Sequence, residues 1–161
     1  MDENEYRSAY HSINQHRCVF EKSILTLSCN CRFQLKFNLA EREGISCQNH
    51  DALQQCQIFL IQCRSQARFA LRLTEIVGNL LPHSKEVQVQ KGALLGLAPD
   101  LPNLPDTPID DIHQLIKSAV DNAGGDIGDF PFNSLVSSIS HHPPRPRRTR
   151  RRKKTDPNKS D

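Results

Sequence analysis

The chain has 161 residues, 37% of them hydrophobic, with no Trp and a mean hydropathy of −0.57. That composition suits a packed core over part of the length only, and no apolar run reaches the roughly 18 residues that cross a bilayer. The net charge of +3 divides unevenly. Residues 141–161 carry nine Lys/Arg against Asp156 and Asp161, or +7, and the remaining residues carry twelve Lys/Arg against sixteen Asp/Glu, or −4. A mildly acidic body has no general attraction for polyanions, whereas the tail does. The opening MDENEYRSAY is acidic and polar, so no secretory leader is expected there and a cytoplasmic setting is.

Tyr6, Tyr10, Ile13, Phe20 and Ile24 follow three- and four-residue steps with Arg17 the one polar break, which predicts one amphipathic helix over residues 4–24 with Cys18 in its last turns. The period then changes. Leu25, Leu27, Cys29, Cys31, Phe33, Leu35, Phe37 and Leu39 hold every odd position between polar neighbours. Such alternation is a strand signature that puts Cys29 and Cys31 on one apolar face. A continued helix also fits, because Phe33/Phe37 and Leu35/Leu39 stand four apart. Asp51, with Gln54 three residues on, predicts a capped helix running to about Thr74. On it Arg64, Arg68 and Arg72 read as a solvated stripe.

Residues 77–98 read as looser chain, with a short strand over Glu86–Gln90 and a turn around Gly92 and Gly96. Pro99, Pro102, Pro105 and Pro108 recur every three residues, as in a semi-rigid linker over residues 98–108. A helix from Pro108 or Ile109 to Asn122 and a short one over Phe130–Ile139 would form an appendage, residues 109–140. Residues 141–161 lack apolar side chains and should be disordered. The expected architecture is thus mainly α: a Cys-rich helical domain over residues 1–97 with a short β-hairpin, then linker, appendage and tail.

All six cysteines, Cys18, Cys29, Cys31, Cys47, Cys56 and Cys63, fall in the first 63 residues. In a reducing compartment, clustered thiols favour metal binding or redox work over a disulfide framework. If residues 51–74 are helical, Cys56 and Cys63 lie about 10 Å apart along the axis. Thiolates on one zinc stand about 4 Å apart, given Zn–S bonds of about 2.3 Å. Only one of the two can join a single centre, and Cys56, nearer Cys47 and the helix start, is the better candidate. Cys63, between Leu60 and Ala67, reads as a small core hydrophobe. The candidate ligands are therefore Cys18, Cys29, Cys31, Cys47 and Cys56 for about four places. Soft thiolates select zinc or an iron–sulfur centre, and the absence of paired C-x2-C knuckles favours iron–sulfur, with zinc the alternative.

Two other functions compete with a non-enzymatic metal-site sensor, electron carrier or accessory factor. The Cys29/Cys31 pair suits a strained, reducible disulfide and hence a thiol redox protein. The run of Arg145, Arg147, Arg148, Arg150, Arg151, Arg152, Lys153 and Lys154 suits an adaptor that binds nucleic acid or an acidic protein without reading sequence. No complete catalytic signature is present, and no membrane partner is expected. The stretch from Arg17-Cys18 through Ala40–Gly44 and Leu81–Glu86 resembles small bacterial proteins rich in cysteine. The likeness covers about the first 97 residues and implies a bacterial cytoplasmic setting without a mechanism.

Overall fold

The computed structural model describes residues 1–26, 29–76, 78, 81–98 and 107–142. The fold is mainly helical with one short antiparallel hairpin: α1 (Glu3–Ile13), α2 (Glu21–Thr26), β1 (Gln34–Leu39), β2 (Arg42–Cys47), α3 (His50–Ala67), α4 (His83–Leu97), α5 (Ile112–Asn122) and α6 (Phe132–Ser140). The expected linker prolines Pro99, Pro102 and Pro105, and the basic run 145–154, lie outside the described residues.

The long first helix predicted over residues 4–24 is two helices. A capping box between Asp2 and Glu5 starts α1. It ends where Asn14 turns its side-chain amide to the Tyr10 hydroxyl (2.9 Å) and the Ile45 carbonyl (3.0 Å). Those bonds tie the chain to β2 and override the apolar period. Cys18 therefore sits in the turn between α1 and α2, not within a helix.

The alternating segment is a strand only in its second half. Residues 21–26 form α2, and β1 begins at Gln34, pairing antiparallel with β2 in the register Gln34↔Cys47 to Leu39↔Arg42. Its odd positions are not a core face, since Leu35 is 49% exposed. The helix α3 is capped by the Asn49 side chain, which accepts from the Ala52 N–H (2.9 Å), and not by Asp51. It stops at Ala67, short of Thr74.

The expected strand at Glu86–Gln90 is also corrected. Residues 83–97 form α4, buried nearly all round, and glycine is what lets α6 approach it. A Cβ on Gly92 would lie 2.5 Å from the Ile139 Cα, and one on Gly96 would lie 2.8 Å from the Leu135 Cδ2. The two glycines mark a helix crossing, not a turn. Asp111, not Pro108, opens α5: its side chain accepts from the Gln114 N–H (3.3 Å).

Residues 1–97 and 109–140 share one hydrophobic core. Phe20, Phe59, Leu60, Val89 and Leu94 pack with Ile112, Ile116, Leu135 and Ile139, all fully buried. The folded body also reaches beyond Ser140. His142 is buried, with its Nδ1 2.9 Å from the Ser138 carbonyl oxygen, so the tail expected from residue 141 does not begin there.

Candidate metal centre

Two loops, the end of a strand and one helix bring four thiols together. The Cys18 N–H donates to the Ile45 carbonyl (3.0 Å), and the Cys47 N–H donates to the His16 carbonyl (2.7 Å). The α1–α2 turn thus runs along the outer edge of β2, with Arg17 bridged to Ser46, and Cys18 is set beside Cys47. Cys31 lies in the turn that enters β1. Its carbonyl accepts from the Gln34 N–H (3.1 Å), and its N–H donates to the Gln34 Oε1 (3.2 Å). Because Gln34 pairs with Cys47, Cys31 arrives at the same end of the hairpin. Cys56 rises beneath them from the second turn of α3.

Electrostatic coupling defines the group. As thiolates, Cys18, Cys31, Cys47 and Cys56 repel one another in all six pairings. Neither Cys29 nor Cys63 couples to any of the four. Cys18, Cys31, Cys47 and Cys56 are free thiols, the first three half-buried and Cys56 buried. Among the described residues, however, no three Cys, His, Asp or Glu side chains converge on a position that would hold a single metal ion.

Backbone N–H groups are aimed at two of the sulfurs. Cys18 receives the N–H of Phe20, and Cys31 receives those of Phe33 and His113. Such donors favour the charged thiolate over the neutral thiol. Two helix N-termini face the same region, α3 beginning three residues after Cys47 and α5 arriving at Cys31. Their partial positive charge acts in the same sense.

Burial opposes ionisation. It pushes the Cys18 thiol up to about 12, against which the Phe20 N–H acts, and it raises Cys56 further, with help from the other three sulfurs. Burial also raises Cys31, offset by the Phe33 and His113 N–H groups. Burial thus favours the neutral thiols of Cys18, Cys31 and Cys56, and a bound cation would have to displace their protons.

Polar networks hold the loops. The Glu21 carboxylate, buried behind Cys18, accepts from the Ile45 N–H (2.8 Å), from Arg17 Nε and Nη2 (3.1 and 2.9 Å) and from the Tyr10 hydroxyl. Gln90 on α4 donates to the Val19 carbonyl (2.8 Å) and accepts from the Ser23 N–H and hydroxyl (3.1 and 2.9 Å). Arg64, expected on a solvated stripe, instead forms a two-pronged ion pair with buried Glu86 (3.0 and 2.6 Å). A cavity of about 210 Å³ borders Cys18 and is lined by Arg17, Glu21, Arg64, Glu86 and Gln90.

Cys29 goes elsewhere. It is buried, its backbone bridges Ile109, and its sulfur lies 3.9 Å from Lys91 Nζ, which also donates to the Thr107 carbonyl. The structure thus separates Cys29 from Cys31 although one residue intervenes. Cys63 is buried on the core side of α3, where desolvation raises its thiol to about 12. Sequence reasoning missed His113 and Asp111, which reach Cys31 from the far end of the chain. Nothing in local spacing could have found them.

No protein-family model, curated protein or solved structure matches the chain.

Proposed function

We propose that the chain is a non-enzymatic metal-site protein in which Cys18, Cys31, Cys47 and Cys56 are the ligands of an iron–sulfur centre, with zinc the alternative occupant. The observation that carries this reading is that backbone hydrogen bonds set Cys18 beside Cys47 and bring Cys31 to the same end of the hairpin, with Cys56 close enough for their charges to interact, while Cys29 lies against Lys91 and Cys63 in the core. Four soft donors from separate chain segments match what either centre requires. Amide donors to sulfur support an iron–sulfur centre, because such bonds tune the potential of a cluster. Three half-buried ligands would leave the centre near solvent, which suits a sensor of oxidants, an electron carrier or an accessory factor.

Elemental analysis and a visible spectrum of protein purified without oxygen test this reading. Iron with acid-labile sulfide and broad charge-transfer absorbance supports the cluster. Stoichiometric zinc in a colourless sample supports the alternative. The absence of both in protein purified and reconstituted under these conditions would overturn the reading.

The run of eight basic residues between Arg145 and Lys154 carries a second, separate proposal. It would bind nucleic acid or an acidic protein by neutralising charge. Salt-sensitive retention on a polyanion, lost when the tail is removed, tests it.

A further inference from the structure

Cys31 is held from both sides by a segment far along the chain. The Asn30 N–H donates to the Ile109 carbonyl (2.8 Å), and the Ile112 N–H donates back to the Asn30 carbonyl (2.9 Å). On the other flank, Arg32 donates through its backbone N–H to Asp111 Oδ1 (3.3 Å), through Nε to Asp111 Oδ2 (2.5 Å) and through Nη2 to Gln114 Oε1 (3.1 Å). Beside these anchors the His113 ring packs edge-on against Phe33 with centroids 4.9 Å apart.

We infer that docking of the α5 N-terminus and occupancy of the thiol site are linked: residues 109–114 hold Cys31 in its ligating position, and a bound metal centre in turn holds residues 109–114 in place. The inference rests on the metal-site reading above. Its physical cause is the tether on both flanks of Cys31: Asn30 is bonded to Ile109 and Ile112, and Arg32 to Asp111 and Gln114, so fixing the Cys31 sulfur in a centre also fixes the segment that holds its neighbours. By reciprocity, any factor that tightens docking must strengthen ligation by the same free energy. Arg32 and Asp111 act through Cys31 and are positioning residues, not ligands.

The test uses the full chain, loaded without oxygen with zinc(II) or with iron and sulfide, as wild type and as R32Q and D111N. Asn is as good a helix cap as Asp, so D111N removes the ion pair while keeping the start of α5. Metal retention against a competing chelator is expected to fall about 10- to 100-fold in each variant, as is usual when a partner behind a ligand is lost. R32K is expected to recover part of the loss. Amide exchange over residues 112–116 should slow on loading in the wild type and slow less in the variants. Wild-type protein that loads fully with no change in that exchange, or variants that hold metal like wild type, would overturn the linkage and leave the metal site standing. A wild-type chain that takes up neither zinc nor an iron–sulfur centre would remove the metal-site reading and the linkage together.

Discussion

The Cys18 N–H donates to the Ile45 carbonyl at 3.0 Å, and Ile45 returns its own N–H to the Glu21 carboxylate at 2.8 Å, three residues beyond Cys18. The loop that carries one thiol is thereby locked to the strand that carries another. Glu21 is the hub of this lock, since Tyr10 and Arg17 also end on it.

Glu21→Ala would leave the Ile45 N–H and the Tyr10 hydroxyl without their acceptor in a buried setting. Each orphaned donor costs about 1–3 kcal/mol, and Arg17 is too exposed to add much. A loss of about 2–4 kcal/mol is expected in urea denaturation of the metal-free protein. Unchanged stability would show that water replaces the carboxylate and that the lock does not hold the loop.

The buried thiols set a pH dependence. The thiols of Cys18 and Cys63 rise from 9.0 in the unfolded chain to about 12 in the folded one, through burial in both cases. Between those values the folded state binds more protons than the unfolded state, so stability must fall as pH rises. Metal-free protein should hold its full stability below pH 9 and lose it progressively from 9 towards 12, measured by denaturation at stepped pH. Metal uptake has the opposite sense, because each ligating thiol gives up a proton. Affinity for added zinc should strengthen as pH is raised from 6 to 8, with measurable acid release on binding.

Gly92→Ala places a Cβ where the Ile139 Cα lies 2.5 Å away, and backbone cannot move aside as a side-chain tip can. Pushing α6 off α4 is expected to cost about 1–3 kcal/mol, despite the better helix propensity of alanine. Thermal melting measures it. A variant as stable as wild type would mean that the α4–α6 crossing has slack.

Removing residues 143–161 should leave metal content and melting temperature unchanged and abolish salt-sensitive binding to a polyanion. The cut is placed after His142 because that residue is buried against α6. Loss of metal from the truncated chain would tie the tail to the centre, contrary to the separation proposed.

The mainly helical class and the hairpin were legible in the sequence, because the steps along residues 51–67 and the alternation along 33–39 are local periodicities. What was not legible depends on distant partners. Asn14 ends α1 only because the Ile45 carbonyl is there to receive its amide, and the helical period of residues 4–24 carries no trace of that bond. Gly92 and Gly96 resembled turn residues until α6 was found lying across them. In the candidate site, Cys56 and Cys63 both lie on α3, as the helical reading of residues 51–74 has them. Cys29 and Cys31 shared an apolar parity, yet the described residues 29–33 form no strand, only a bridge from Cys29 to Ile109. Cys29 therefore turns to Lys91 and Cys31 to the other thiols.

The most direct measurement is the metal content of six single Cys→Ser variants, each expressed and purified without oxygen beside the wild type. Cys18→Ser, Cys31→Ser, Cys47→Ser and Cys56→Ser should lose the centre or hold it at a small fraction of wild-type content. Cys29→Ser and Cys63→Ser should retain it, whatever their cost in stability. Retention of the wild-type content in all four of the first group, or loss in Cys29→Ser of a folded protein, would contradict the ligand set.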